Sequence, residues 1–213
     1  MEEQPQPLRV GYHQELDEIN AKVARLYALV SEGVAGANQA LMADDTSALD
    51  AVRSSEATID ELMAELEAAV ERVLLLQAPV AGELRWILAM VRIVPELERS
   101  GDLAMHIAKR AGTGLMHSAT PVVRGIFEQL GERAAVLWRA ASDAFADRDP
   151  AAGERLEEMD DAIDDLHAEL TQLLLAGEVE SGAAAEMVLL GRFYERLGDH
   201  ATAITKRISA AVA

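Results

Sequence analysis

The feature that most constrains the fold of this chain is an internal repeat. Residues 96–110 read ELERSGDLAMHIAKR, and residues 194–207 read YERLGDHATAITKR. Aligned at an offset of 97, thirteen positions of these segments contain eight identities. A second pair, TIDELMAEL at 58–66 and AIDDLHAEL at 162–170, aligns at an offset of 104 with six identities in nine. The repeat predicts two copies of one structural unit.

Hydrophobic residues follow a helical spacing almost throughout the chain. In the first segment they step by threes and fours from Leu16 to Leu41, which predicts one long helix. Thr120 followed by Pro121 is typical of a helix start, and Pro95 predicts a kink in the third helix. Polar, Gly-rich or Pro-rich breaks separate six helical segments, at residues 44–50, 77–83, 111–118, 149–150 and 177–182.

Composition agrees with this assignment. Half of the residues are hydrophobic but only 4% are aromatic, a balance that favours helices filled by aliphatic side chains. The first copy holds 104 − 97 = 7 more residues between its two matching segments than the second. We therefore predict an all-α fold of two tandem, sequence-related three-helix bundles, with six long helices. The predicted domains are residues 8–112 and residues 120–211.

Charge and cysteine content narrow the class of protein. With 19 basic and 37 acidic residues the formal net charge is −18, which argues against nucleic-acid binding. The chain has no cysteine, so it has neither disulfides nor thiolate metal sites. The N-terminal MEEQPQPLRV lacks the apolar core of a signal peptide, and apolar runs such as 73–76 are too short to span a bilayer. We expect a cytoplasmic protein without membrane insertion.

Carboxylate pairs are the most unusual local pattern. Glu56 and Glu98 fall on the hydrophobic seams of the second and third helices, where an unpaired glutamate is costly. Each precedes an aspartate by four residues, which places both acids on one helix face. In the second copy the corresponding acids are expected to flank a broader seam. The four pairs are Glu56/Asp60, Glu98/Asp102, Asp160/Asp164 and Glu195/Asp199.

The pairs predict two patches of four carboxylates, one in each copy. Arg99 and Arg196 are expected to point mostly away, so they cannot neutralise a whole patch. A hard divalent cation or a small oxo-bridged cluster held by oxygen ligands is the obvious partner. Gly101 and Gly198 would let a helix or a metal approach closely. Oxygen ligands admit magnesium, manganese, iron, calcium or zinc, and the alternative is that the acids form only a solvated, solubilising face.

Other candidate groups are weaker. His106 lies one helical turn beyond the third pair, but its counterpart is Ala203, and His200 is predicted to be a surface residue. The sequence has no phosphate-binding loop, nucleophile elbow or His-Glu-x-x-His motif. A di-iron enzyme would need paired Glu-x-x-His motifs, and the nearest match is a single Asp-x-x-His ending at His167. We expect a non-enzyme; a metal-handling protein or a carboxylate-metal enzyme is the alternative.

Two segments resemble a known family. Residues 77–110, which begin QAPVAGELR and contain Glu-Arg-x-Gly-Asp, and residues 195–202, ERLGDHAT, are similar to motifs of the PhoU family of bacterial phosphate-transport accessory proteins. The resemblance covers nearly the whole chain. It implies a pair of three-helix bundles, in which some members bind multinuclear metal clusters. The implied ligands are Glu56, Asp60, Glu98, Asp102, Asp160, Asp164, Glu195 and Asp199.

The resemblance also implies a cellular role. Members of this family are implicated in repressing the phosphate-starvation regulon when phosphate is plentiful. They are thought to link the ATPase of the phosphate ABC transporter to a sensor histidine kinase. For this chain we therefore expect those two partners, metal ions as the cofactor and a homodimer.

Overall fold

Six long α-helices make up the chain in the computed structural model, which describes residues 7–212. No strand occurs among these residues, so the predicted all-α class is confirmed. Short 3₁₀ turns at Thr46–Ala48 and Leu115–His117 precede α2 and α4. The prediction that the chain lacks a signal peptide falls partly on residues 1–6, outside the described residues. The helices are α1 (Pro7–Ala43), α2 (Leu49–Gln77), α3 (Ala81–Ala108), α4 (Pro121–Asp147), α5 (Ala152–Leu175) and α6 (Ser181–Val212).

Helix starts follow local chemistry. The Thr120 side chain accepts a hydrogen bond from the Val123 amide at 3.3 Å, and Pro121 opens α4 as predicted. The Asp149 carboxylate accepts from the Ala151 amide at 2.8 Å. Asp149-Pro150 repeats the Thr120-Pro121 pattern, but α5 begins only at Ala152, two residues after the proline. The Asp149 side chain instead closes the turn that leads into α5.

The two copies share one core. α1, α2 and α3 pack together, α4, α5 and α6 pack together, and the copies meet where α1 lies on α4 and α3 lies on α6. Aromatic side chains concentrate at this contact: Tyr27 lies 6.4 Å from Trp138 and 5.2 Å from Phe145 between ring centroids. The tandem three-helix arrangement is therefore confirmed, while the domain bounds 8–112 and 120–211 stay a prediction.

A glycine in α4 allows the copies to lock together. A Cβ at Gly131 would come closer than 3.0 Å to the Asn38 side chain of α1, so only glycine leaves room for it. Asn38 Oδ1 accepts a hydrogen bond of 2.7 Å from the hydroxyl of Tyr194 on α6, and Tyr194 is fully buried. One asparagine thus connects three helices from both copies.

The repeated Glu-Arg-x-Gly-Asp segments face each other across the α3–α6 contact. Ser100 Oγ lies 3.1 Å from His200 Nδ1. The prediction that His200 lies at the surface is wrong: its exposed fraction is 9%, because this side of α6 packs on α3. Arg207 lies 3.3 Å from Glu96. Among residues 7–212, no helix is both long enough and apolar enough to cross a membrane.

Candidate metal centre

The eight predicted ligands lie on the second and third helices of each copy, with a common pattern of exposure. The first acid of every pair is half-buried and the second is exposed. In the second copy, where the acids were expected to flank a broader seam, the first acids are half-buried like those of the first copy. The half-buried acids are Glu56, Glu98, Asp160 and Glu195; the exposed ones are Asp60, Asp102, Asp164 and Asp199.

In the second copy, Asp160 of α5 lies directly against Gly198 of α6. A Cβ at Gly198 would overlap Asp160 Oδ1, so the glycine permits the close approach that was predicted. Thr202, one turn further along α6, donates a hydrogen bond of 3.4 Å to Asp160 Oδ2. In the first copy Gly101 faces Ile59 instead, at 2.8 Å from the position of a Cβ. Gly198 also faces Ile163, the counterpart of Ile59, at 3.5 Å, so the two copies differ in the carboxylate that approaches the second glycine.

The acids of the second copy lie close enough together to repel. Burial and the neighbouring Asp164 and Asp199 carboxylates raise the pKa of Asp160 from 3.8 to about 7. Burial, followed by Asp199, raises the pKa of both Asp164 and Glu195. We call these four side chains, Asp160, Asp164, Glu195 and Asp199, the second patch. The raised pKa values show that the carboxylates of this patch are only partly compensated by positive charge.

The first patch, made of Glu56, Asp60, Glu98 and Asp102, is less perturbed. Burial and then the Asp102 carboxylate raise the pKa of Glu98, with a smaller contribution from Asp60. The exposed Arg99 opposes this shift, although its guanidinium pairs with Glu96 at 3.5 Å. The stronger candidate for cation binding is therefore the second patch.

Three residues beside the second patch were not among the predicted ligands. Arg192 pairs with Glu195 Oε1, Thr202 bonds Asp160, and His167 is half-buried one turn beyond Asp164. Burial and then the nearby Arg192 charge lower the pKa of His167. Arg192 precedes Glu195 by three residues, so helical spacing alone could have indicated this pair.

The donor atoms suit a cation, but they do not converge on one point. Asp160 Oδ1 and Glu195 Oε2 are buried and have no hydrogen-bond partner among the described residues. Carboxylate oxygens are the ligands that hard cations prefer. Nevertheless, no three His, Asp or Glu side chains in residues 7–212 are arranged as a metal site.

His106, which was considered as a further ligand of the first copy, stacks instead on Phe193 of the other copy, with ring centroids 5.4 Å apart.

The fold and these patches define a class: a duplicated helical-bundle protein with an acidic patch on each copy. The chain belongs to the PhoU family. Residues 23–111 and 127–208 each match the PhoU domain, so the match covers both copies and the resemblance of the repeated motifs is confirmed.

Relatives extend over almost the whole chain. It is 36% identical over 204 residues to the phosphate-specific transport system accessory protein PhoU homolog 2 of Mycobacterium tuberculosis, covering 94% of this chain and 96% of the relative. The PhoU homolog of Synechocystis is 31% identical, with coverage of 95% and 92%. The crystal structure of PhoU from Pseudomonas aeruginosa shares the fold, with a TM-score of 0.87 at 24% identity and coverage of 94% and 98%.

Proposed function

We propose that this chain is a non-enzymatic accessory protein of phosphate transport that represses phosphate uptake and the phosphate-starvation genes when phosphate is plentiful. The match of both copies to the PhoU domain carries this proposal, together with relatives named as phosphate-transport accessory proteins. In this role it acts in the cytoplasm as a homodimer. It bridges the ATPase of the phosphate ABC transporter and a sensor histidine kinase.

Metal binding at the two patches is part of the proposal. The support is the pair of unpartnered buried oxygens on Asp160 and Glu195 and the raised pKa of three acids in the second patch. The exposed aspartates would have to turn toward the half-buried acids to share an ion. A bound cation would supply the positive charge that the patch lacks and would join α5 to α6. In the first copy a cation would join α2 to α3, held by Glu56, Asp60, Glu98 and Asp102.

Deletion of the gene tests the regulatory role. We expect a phosphate-regulated promoter to be derepressed in high-phosphate medium, since the proposed link between transporter and kinase is lost. A reporter assay measures this, and a plasmid with the wild-type gene should restore repression. If repression is unchanged in a strain with no second gene of this family, the regulatory role is wrong.

Metal content tests the ligand assignment. Protein purified without chelator is expected to contain metal, measured by inductively coupled plasma mass spectrometry. The quadruple Glu98/Asp102/Glu195/Asp199→Ala variant should lose it, because each patch then lacks two of its four carboxylates. Four exposed acids with the same spacing form a matched control that removes equal charge: Glu128, Glu132, Glu154 and Glu158, all changed to Ala.

The two experiments also separate the proposed function from its alternative. Equal metal content in the wild type and the quadruple patch variant would show that the ligand assignment is wrong. Loss of metal combined with unchanged repression in the deletion strain would favour a metal-handling protein.

A further inference from the structure

An apolar groove runs along the outer surface between α2 and α3. Its volume is about 340 Å³. Its floor and walls include Leu66, Val70, Met90 and Val94, and its outer edge includes Leu75, whose exposed fraction is 74%. From Leu66 to Leu75 the groove follows α2 for about 14 Å, at about 1.5 Å per residue. This length corresponds to between two and three turns of helix.

The equivalent seam of the second copy is closed. Val94 aligns with Gly191 at the offset of 97, and a Cβ at Gly191 would lie 2.7 Å from Leu170. Leu170 and His167 of α5 therefore pack directly onto the α6 backbone. In the first copy the Val94 side chain occupies this position between α2 and α3. The groove is thus a property of the first copy that the duplication does not explain.

The first-copy hairpin is also longer. From the first acid to the end of the helix, α2 continues for 77 − 56 = 21 residues, whereas α5 continues for 175 − 160 = 15. The additional turns of α2 contain Leu74, Leu75 and Leu76, and the latter two are largely exposed. Val73 of this extension is buried and Leu74 packs against the core, so it is the exposed Leu75 and Leu76 whose presence the core does not explain.

One backbone carbonyl beside the groove lacks its usual helical donor. Pro95 lies inside α3 and lines the groove. Because proline has no amide hydrogen, the Val91 carbonyl lacks its usual donor four residues later. Val91 lines the same groove and is 47% exposed. A side chain with N–H donors that lies in the groove could bond this carbonyl.

Charge indicates what kind of partner fits. The charged residues that line the groove are Glu67 and Glu71, both exposed and one turn apart on α2. Glu98 of the first patch follows Val94 by one turn of α3. Because Glu67 and Glu71 would repel the same two residues of a second copy, pairing of two such grooves is disfavoured.

We propose that the α2–α3 groove docks an amphipathic helix of a partner protein, with leucine-like side chains on one face and Lys or Arg along its flanks. The apolar face fills the groove, and the basic flank pairs with Glu67 and Glu71. A guanidinium or ammonium N–H can donate to the Val91 carbonyl, for which Pro95 supplies no donor. This inference rests on the proposed bridging function only for the partner's cellular identity, since helix binding is measurable without it.

The test uses the full chain and a synthetic amphipathic peptide of about 14 residues, with leucines at every third and fourth position and lysines beside them. By fluorescence anisotropy at physiological salt we expect a Kd of about 1–10 µM. Leu75→Lys should weaken binding by about tenfold or more, because it places a charge in the groove and repels lysine. Leu76→Lys is the matched control: Leu76 is 71% exposed and does not line the groove.

The electrostatic part has its own control. Glu67/Glu71→Lys should weaken binding several-fold more than Glu128/Glu132→Lys, which has the same spacing and the same change in net charge. Equal effects of Leu75→Lys and Leu76→Lys would overturn the proposal, because binding would then reflect total charge only.

Two other occupants would also overturn the proposal. The first is a Leu75-dependent dimer of the chain without peptide, measured by sedimentation velocity. The second is Leu75-dependent binding to phosphatidylcholine–phosphatidylglycerol vesicles. Promoter repression in the deletion strain tests the proposed function separately. A failed peptide-binding experiment would therefore not contradict the regulatory role, and unchanged repression would not contradict helix binding.

Discussion

Replacing Gly131 with alanine is expected to lower the free energy of unfolding by about 2–3 kcal/mol. The new Cβ would overlap the Asn38 side chain, which lies closer than 3.0 Å to its position. Displacing Asn38 also removes the acceptor of the Tyr194 hydroxyl, and a buried hydroxyl without a partner is costly. The gain in helix propensity on replacing glycine, about 1 kcal/mol, is too small to compensate. Urea denaturation followed by far-UV circular dichroism measures the change.

Gly125 provides the control on the same helix. No neighbouring atom lies within 4 Å of a Cβ built there. Gly125→Ala should therefore stabilise the protein by about 0.5–1 kcal/mol, since it restricts the unfolded chain and removes no contact. The same substitution six residues apart is thus expected to have opposite signs. If both variants are stabilised, Asn38 adapts freely, and the proposed lock between the copies is wrong.

Asp160→Asn is expected to stabilise the protein above pH 7 in chelator-containing buffer. The folded-state pKa of Asp160 is about 7 and its ordinary value is 3.8. The folded state therefore binds the proton more tightly, and stability declines as the pH rises from about 4 to about 7. Asparagine cannot lose a proton and still accepts from Thr202. Because Asp160 is only half-buried, solvent screens the repulsion, and we expect a gain of about 1–2 kcal/mol at pH 8.

The pH dependence distinguishes this effect from a general stabilisation. At pH 4 the wild type and Asp160→Asn should be nearly equal, because the wild-type carboxyl is then largely protonated in the folded state. Asp165→Asn, an exposed change on the same helix, should alter stability by less than about 0.5 kcal/mol at either pH. A constant difference between Asp160→Asn and wild type from pH 4 to pH 8 would contradict the assigned repulsion.

The helices and the duplication could be predicted because they rest on local chemistry. These features depend on residues close together in the sequence, so the sequence alone reveals them. They include the hydrophobic spacing, breaks such as residues 77–83 and the Thr120 cap. The acid pairs were predictable for the same reason, since a spacing of four places two side chains on one helix face. Predictions about residues at contacts between helices distant in the sequence were less successful.

His200 and Gly131 show why. His200 was expected at the surface because it lies beside an exposed aspartate, but the opposite side of α6 packs on α3. Gly131 is one of 14 glycines, and only the position of Asn38, on another helix, gives it a role. Asp160 likewise lies against Gly198 of another helix, which the hydrophobic seam of α5 did not indicate. Each of these depends on which helix faces which, and no local pattern encodes that.

The contact between α3 and α6 brings equivalent positions of the two copies together from opposite sides. Arg207 reaches Glu96, and its counterpart Arg110 lies over the ring of Phe193, the counterpart of Glu96, at 5.0 Å from the centroid. Such reciprocal pairing is the mark of a two-fold axis. The partners differ between the two sides, since Arg207 meets an acid and Arg110 meets a phenylalanine. The two halves are therefore related by the position of their side chains but not by their chemistry, so a partner protein would meet a different surface on each side.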